Sequence, residues 1–463
     1  MQPSIFNLRV PIAGRDDVFL MNTLSDAQLL VSSDVAALLD RQDFDNLNDT
    51  ERGAFDLLTE NGFFVPSHDA DRKALDSYFH SVKHSTSELH ITLLTTMQCN
   101  FACGYCYQGD REDFNQFADK MTLETSARVA RWIEDELDRL KPETLVITFF
   151  GGEPLLNLPV MYDMAERTWA ATQARGVKQT MSIITNGLLL TPDVVNRMLP
   201  YGLRGAKITL DGDKHTHDRM RPLRGGQGTF DRIIDNIRKV AGLTKISIGG
   251  NFDESSADSF SALLDFLKEQ EFADKLVKVN FKPVVRTEPA KPKGMLSLTP
   301  VGANGKPLGG SCMTGAGAGG GSTCDSCSFL DEKMVLLRED TQRHGFSTSD
   351  GVHAGPCHVH HSNAHTIGPD GSLYGCPGFT GEKALSTGHI DGHTDSWRNS
   401  NKQRFDTLDP WKECGDCAFI PVCAGGCLTA SYAQLGDMNT PTCHKSSFES
   451  AVHALAHNVA SVN

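Results

Sequence analysis

The middle of the chain alternates between short apolar runs and longer stretches whose apolar residues recur with a helical period. The runs predict strands and the periodic stretches predict amphipathic helices. Predicted strands are LHITLLTTMQC, LVITFFGG, TMSIITNG, AKITLDG, KISIGGNF and LVKVNFKPVV. Predicted helices include TLETSARVARWIEDELDRL and TFDRIIDNIRKVAG. This alternation predicts an α/β fold over residues 88–288: a partial (β/α)6 TIM-type barrel with functional groups at the carboxyl ends of its strands.

Residues 1–85 follow a different pattern, in which extended apolar stretches precede short helices. FNLRVPI and DVFLMNTLSDAQLLVS predict strands, and SDVAALLD and NDTERGAFDLLTENGFF predict helices. The second helix has Asn48 or Asp49 as its expected N-cap and Gly62 just past its end. The order predicts a small winged-helix-like module, with HDADRKALDSYFHSVKHST as the connection to the barrel. The alternative is a unit that only buttresses the barrel.

The last third of the chain has little periodicity. Residues 289–350 begin with a stretch rich in Gly, Pro and Ser, which predicts a linker or an insertion over the barrel mouth. Residues 351–448 are rich in Cys and Gly, which predicts a domain held together by metal ligands more than by an apolar core. Residues 449–463 are expected to form a C-terminal tail.

Composition narrows the class of protein. The apolar fraction of 39% and the charged fraction of 22% are ordinary for a soluble globular chain, and no long apolar run predicts a membrane span. The N-terminus lacks a basic start followed by an apolar core, so we expect no secretory signal and a cytoplasmic location. The formal charge of −14 argues against nucleic acid as a partner, because phosphate binding needs a basic face.

Thirteen cysteines occur in groups, which in a reducing compartment predicts metal ligation in place of disulfides. The first group is Cys99, Cys103 and Cys106, with no fourth cysteine nearby. Three close ligands are one too few for a closed tetrahedral zinc site. They suit a metal centre that keeps one position open.

The segment TTMQCNFACGYCYQ carries these cysteines as Cys-x3-Cys-x2-Cys, with Tyr105 directly before the third. With FFGGEPLL, IITNG and TLDGDKHTHDRMRP at later predicted strand ends, it resembles the radical S-adenosylmethionine (SAM) superfamily. The resemblance implies a [4Fe–4S] cluster whose open iron chelates SAM. It also implies a low-potential donor of the flavodoxin or ferredoxin type that reduces the cluster. An electron from the reduced cluster would then cleave SAM, and the resulting 5′-deoxyadenosyl radical would abstract hydrogen from a substrate.

The same resemblance implies which residues contact SAM. The Gly-Gly-Glu motif would lie against the amino group, later polar residues near the ribose, an arginine against the carboxylate and a tyrosine near the adenine. The residues so assigned are Tyr105, Gly151, Gly152, Glu153, Thr185, Asn186, Asp211 and Arg221.

Ordinary roles for some of these residues remain open from the sequence alone. Asp211 followed by Gly212 also fits a tight turn, and Arg221 also fits a solvated charge. No catalytic base is assigned, because Asp211, Asp213 and Asp253 fit surface turns equally well.

The C-terminal cysteines follow the order and spacing of the SPASM domain, which follows many radical SAM barrels. This resemblance implies two auxiliary [4Fe–4S] clusters, and therefore three clusters in all. One set of ligands is Cys414, Cys417, Cys423 and Cys443; the other is Cys357, Cys376 and Cys427. The fourth ligand of the second set stays open: an exogenous group, Cys312, Cys324, Cys327, or one of His358, His360, His361 and His365. Cys324 and Cys327 are alternatively a zinc pair or two unconnected thiols.

Chains with this layout are similar to enzymes that modify a peptide or protein, and a winged-helix module resembles the element that binds a leader peptide by strand addition. We therefore expect a maturase that oxidatively modifies, and crosslinks, a ribosomally made precursor peptide. One alternative is a sulfatase-type protein maturase. Those enzymes carry Asp after the second SPASM cysteine, where this chain has Pro377 and Gly378. The other alternative is a non-catalytic zinc-ribbon adaptor, against which the isolated cysteine triple argues.

Overall fold

The computed structural model describes residues 1–108, 115, 118–284, 325–348, 352, 355–443 and 445–462, with the backbone alone at 325–331, 434, 461 and 462. Most of the predicted Gly-rich linker, including Cys312 and Cys324, lies outside the described residues, as does the side chain of Cys327. The possible ligand roles of these three cysteines therefore remain predictions.

Nine strands form one sheet in the order β11-β10-β9-β8-β7-β6-β12-β13-β14. The six predicted strands are all present and pair in parallel: β6 (Glu88–Thr96), β7 (Thr144–Gly151), β8 (Lys178–Thr185), β9 (Leu203–Thr209), β10 (Lys245–Phe252) and β11 (Leu276–Pro283). Three short strands that were not predicted extend the sheet beyond β6: β12 (Ala364–Ile367), β13 (Ser372–Tyr374) and β14 (Gly388–His389). The predicted α/β fold with a parallel sheet is confirmed.

Helices cover the sheet between its strands: α4 (Leu123–Leu140), α5 (Leu158–Arg175), α6 (Pro192–Met198), α7 (Lys214–Met220), α8 (Phe230–Val240) and α9 (Phe260–Lys268). In α4 the side chain of Thr122 caps the first turn, and Lys141 ends the helix in a left-handed conformation. Both predicted helices match α4 and α8. Apolar faces of these helices and of the strands form one continuous buried cluster, which fixes where each strand ends.

The N-terminal unit contains the predicted strands β2 (Asn7–Pro11), β3 (Asp17–Asn22) and β4 (Ala27–Ser32) and the predicted helices α1 (Ser33–Ala37) and α2 (Asp49–Glu60). Two short strands, β1 (Gln2–Pro3) and β5 (Phe64–Val65), were not predicted. Asn48 is the N-cap of α2, and its side chain forms a capping box with Glu51. The stretch taken only as a connection is the helix α3 (His68–His84).

The C-terminal region holds further helices: α10 (Asp325–Arg343), α11 (Ser396–Asp406), α12 (Ile420–Cys423), α13 (Leu428–Leu435) and α14 (Lys445–Val462). The helix α10 was not predicted; it packs on α9, β11 and α14. Within the described part of the chain, no helix combines the length and apolar character needed to cross a bilayer.

Candidate functional site

The loop with Cys99, Cys103 and Cys106 begins at the carboxyl end of β6. Functional groups were predicted at the carboxyl ends of the strands. Its backbone is tied to neighbouring segments: the Cys99 N–H donates to Asn115 Oδ1 at 3.0 Å, and the Arg224 Nε–H donates to the Cys99 carbonyl at 3.0 Å. Burial raises the pKa of the Cys99 thiol to about 12 and also raises that of Cys103. Metal binding at these thiols would therefore displace protons.

The paired glycines after β7 allow close backbone packing. A Cβ on Gly152 would lie 2.2 Å from the Gln98 carbonyl oxygen, and one on Gly151 would lie 2.2 Å from that of Thr96. Gly151 also has a φ of +137°, which side chains rarely adopt. Both glycines are thus needed to seat β7 against the start of the cysteine loop, a requirement separate from the predicted contact with SAM.

Glu153 is a fully buried carboxylate at the centre of this strand edge. It accepts hydrogen bonds from Thr185 Oγ1 at 2.8 Å, from the Asn186 N–H at 2.8 Å and from the Leu155 N–H at 3.1 Å. Burial raises the pKa of Glu153, and these donors oppose the rise. Asn186 Nδ2 in turn donates to Asn100 Oδ1 at 2.8 Å, so Glu153 is connected to the cysteine loop.

Tyr105, Asp211 and Arg221 form a second buried group. The Tyr105 hydroxyl donates to Asp211 and accepts from Arg221, and Arg221 Nη1 lies 3.4 Å from Asp211 Oδ2. Asp211 is fully buried and Arg221 is 9% exposed. The alternatives of a surface turn for Asp211 and a solvated charge for Arg221 are therefore wrong, because the structure buries and pairs both.

Two residues of this group were missed in the sequence. The Asn251 N–H donates to Asp211 Oδ1 at 2.6 Å, and Asn251 Nδ2 donates to Tyr105 Oη at 3.2 Å. His217 Nδ1 accepts from the Asp211 N–H at 3.1 Å, and burial, with Arg221 nearby, keeps the pKa of this histidine well below its usual value. Asn251 is the second-last residue of the predicted strand KISIGGNF, so the strand-end argument could have found it.

The group retains one unused donor. Arg221 Nε is buried and has no hydrogen-bond partner among the residues that the structure describes. A buried guanidinium with a free N–H fits an anionic ligand such as a carboxylate. The three thiols, the buried carboxylate and this donor lie at neighbouring strand ends of one sheet edge, so the residues present fit a cluster and a bound amino acid.

The remaining candidates for a catalytic base are turn residues, as the sequence allowed. Asp213 caps α7, accepting from the Thr216 N–H at 2.9 Å. Asp253 Oδ1 accepts from the backbone and hydroxyl of Ser255, at 3.0 and 2.7 Å.

The C-terminal cysteines divide into two groups in space. Burial raises the pKa of Cys423 to about 12, and Cys414, Cys443 and Cys417 are close enough to raise it further. Burial likewise raises the pKa of Cys376 to about 11, with Cys357 and Cys427 as its neighbouring thiols. These neighbours are the two sets that the resemblance to the SPASM domain implies, so the donor sets fit two clusters.

The cysteines that the structure describes are not arranged around a single ion. Among the described residues, no three His, Cys, Asp or Glu side chains are arranged to hold one metal ion. A tetrahedral zinc site needs such an arrangement. An iron–sulfur cluster binds each thiolate through a different iron and spreads its ligands further apart.

The histidines beside Cys357 pack mainly on aromatic rings. His358 lies 4.1 Å from His90 and 5.5 Å from His361 between ring centroids, while His365 contacts Trp132 edge-on. Their possible role as a fourth cluster ligand stays a prediction. After Cys376, Gly378 packs closely on Thr429, whose hydroxyl lies 3.4 Å from Cys376 Sγ.

Comparisons with known proteins identify the barrel. Residues 93–260 match the Radical SAM superfamily. The GTP 3′,8-cyclase of Synechococcus sp. (strain WH7803) is 30% identical over 151 residues, 32% of this chain and 41% of that protein. The mycofactocin maturase MftC of Mycobacterium tuberculosis (strain CDC 1551 / Oshkosh) is 25% identical over 376 residues, 74% of this chain and 78% of that protein.

The fold is shared with native anSMEcpe solved with bound AdoMet. That structure superposes with a TM-score of 0.56 and 18% identity, covering 80% of this chain and 99% of the other. This chain spans about two fifths of the length of the GTP cyclase relative. The match therefore covers a domain of that protein and not the whole enzyme. Residues 93–260 of this chain are therefore a radical SAM domain of the Radical SAM superfamily.

Proposed function

We propose that this protein is a radical SAM maturase that oxidatively modifies, by crosslinking, a ribosomally made precursor peptide. The observation that carries the proposal is the strand edge where the cysteine loop meets buried Glu153 and Arg221, whose Nε–H has no partner among the described residues. When bound, the cluster and SAM supply an organic radical that removes hydrogen from a substrate.

Different residues of the strand edge would hold the cluster and the different parts of SAM. Cys99, Cys103 and Cys106 would ligate three irons and leave the fourth for SAM. Arg221 would pair through its free N–H with the SAM carboxylate, and Glu153 would face the ammonium. Tyr105 is held by Asp211, Arg221 and Asn251, so the loop that carries Cys106 enters the site in one orientation.

The peptide as substrate class is supported by the match to MftC, a maturase, which extends well beyond the radical SAM domain to 74% of this chain. The winged-helix-like module at residues 1–85 would bind a leader peptide. Its three-stranded sheet has the order β2-β3-β4, which leaves the outer edges of β2 and β4 for strand addition.

Residues 351–448 would form the SPASM domain and hold two auxiliary clusters. Cys414, Cys417, Cys423 and Cys443 form one ligand set, and Cys357, Cys376 and Cys427 form the other. An external low-potential donor of the flavodoxin or ferredoxin type would reduce the SAM cluster.

The test uses protein reconstituted without oxygen, with a chemical reductant, SAM and a small peptide encoded beside the gene. We expect formation of 5′-deoxyadenosine together with a peptide mass decrease that corresponds to lost hydrogen. SAM cleavage without any peptide change, across all neighbouring peptides, would contradict the peptide assignment and leave the radical SAM chemistry standing.

A variant pair tests the role of Glu153. Glu153→Gln replaces one carboxylate oxygen with an N–H₂, either the oxygen that accepts from Thr185 and Leu155 or the one that accepts from Asn186. It should lower stability by about 1–3 kcal/mol and weaken SAM binding. The matched control is Glu143→Gln, an exposed residue just before β7, which should leave melting temperature and SAM affinity unchanged.

A further inference from the structure

A small cavity lies outside the radical SAM site, where α3, the segment around β12 and β13, and the end of α11 meet. Its volume is about 140 Å³, and its lining includes Phe79, Lys83, His360, His365, Lys402 and Trp411. A space of this size is too small for a drug-sized ligand and matches a single small molecule or one chemical group.

Three buried polar atoms on the lining have no partner among the residues that the structure describes. They are Trp411 Nε1, His360 Nε2 and His365 Nε2. His360 is 9% exposed, so its Nε2 is far from bulk solvent. Buried polar atoms in folded proteins are normally paired, so three at one cavity indicate that something else satisfies them.

The hydrogen-bonding capacity of these atoms indicates which kind of ligand the cavity can bind. An indole N–H can only donate, and so can a lysine ammonium. A histidine ring carries at least one N–H in either charge state, so His360 and His365 can each donate as well. The cavity therefore presents a surplus of donors.

Charge on the lining favours an anion. Lys83 and Lys402 are cations, and Asp406 is the one carboxylate among the lining residues. Asp406 is already engaged, because its Oδ2 lies 2.6 Å from Lys402 Nζ and its carbonyl accepts from Lys83. The two lysines and the one aspartate together give the lining a net charge of +1.

Aromatic rings form part of the cavity wall. Phe79 and Trp411 stack with ring centroids 4.0 Å apart, and His360 meets Trp411 edge-on at 5.5 Å. The Lys402 side chain is 61% exposed, so the cavity reaches the surface beside it. A carboxylate group can enter there.

We propose that this cavity is a binding site for a carboxylate group, with Trp411 Nε1, His360 Nε2 and His365 Nε2 as its hydrogen-bond donors. On this proposal His360 and His365 are not the fourth ligand of the Cys357 set. The carboxylate belongs either to a free small organic acid or to the end of a peptide chain, and both present the same two oxygens. The site is separate from the strand edge that carries the radical SAM residues.

The probe is acetate, titrated against the full-length reconstituted protein by calorimetry, with acetamide as a neutral molecule of the same shape. We expect saturable acetate binding and none for acetamide. Acetyl-glycine in a parallel titration separates the sources: binding assigns the cavity to a peptide carboxylate, and its failure where acetate binds assigns it to a free acid.

Trp411→Phe keeps the ring stacked on Phe79 and removes the N–H. We expect acetate affinity to fall about tenfold or more, because hydrogen bonds to charged groups are worth that much. Trp397→Phe, at a 41% exposed tryptophan outside the lining, is the control and should leave the affinity unchanged. Equal binding of acetamide, no saturable acetate binding, or full affinity in Trp411→Phe with an unchanged melting temperature would each overturn the proposal.

Discussion

The radical SAM strand edge and the C-terminal cysteine region differ in what holds their cysteines in place. At the strand edge, six strands of seven to nine residues rest on one continuous apolar cluster, and the cysteine loop is hydrogen-bonded to its neighbours. In the C-terminal region the strands are β12, β13 and β14, of four, three and two residues. The first site is built by the fold, whereas the second depends more on its proposed ligands.

The C-terminal region is supported from outside by the N-terminal unit. Phe6, Leu75 and Phe79 pack with Ile420 and Ala424, and partly buried Cys414 and Cys417 lie against the same cluster. The N-terminal unit thus forms one wall of the Cys414 ligand set. This contact joins the proposed peptide-recognition module directly to the proposed auxiliary cluster.

The largest expected difference between the two regions comes from removing one thiol from each. Cys423→Ala should speed amide exchange across residues 414–443 by roughly tenfold or more, because binding energy at ligand-built sites is folding energy. Cys103→Ala should leave exchange in β6 to β11 unchanged, since the apolar cluster holds those strands. Hydrogen exchange measured by mass spectrometry compares the two variants. Equal loss of protection in both regions would contradict the proposed difference between them.

A smaller effect is expected from steric change at the strand edge. Gly152→Ala drives a Cβ to 2.2 Å from the Gln98 carbonyl oxygen and should cost about 1–3 kcal/mol, with loss of iron from the first cluster. Thermal unfolding and an iron assay measure both. The control is Gly104→Ala in the cysteine loop, where a Cβ meets nothing within 4 Å and both readings should match the parent. If Gly152→Ala changed neither the thermal unfolding nor the iron content, the close approach to Gln98 would not be required.

The smallest effect concerns the surface contact between the two units. Arg72 donates to both oxygens of Asp416 at 3.0 Å, but both side chains are about half exposed. Arg72→Ala should lower the melting temperature slightly, and the difference should vanish at high salt because solvent screens exposed pairs. Arg131→Ala, at an exposed arginine of α4, is the control. A large, salt-independent drop would show that Arg72 does more than pair at the surface.

Most of the barrel could be predicted because each strand is a long apolar run with a helix on either side. Glu153 and Asp211 were found because they belong to motifs that resemble the radical SAM superfamily and stand at predicted strand ends. Asn251 satisfies the same rule but was missed because no motif drew attention to it.

The rest depended on contacts between residues far apart in sequence. β12 pairs with β6 through Ala364 and His90, and four residues show no periodicity that would predict this. α3 was missed although Leu75 and Phe79 have helical spacing, because its apolar face is covered by residues more than 300 positions later.

The central claim is that one cluster sits at the cysteine triple and two lie in the C-terminal region. We would count iron and sulfide in protein reconstituted without oxygen, beside a variant with Cys99, Cys103 and Cys106 all changed to Ala. The account predicts about 12 iron atoms per chain in the parent and about 8 in the variant, with SAM cleavage lost. About 4 iron atoms in the parent, falling to none, would contradict the two-cluster assignment of the C-terminal cysteines.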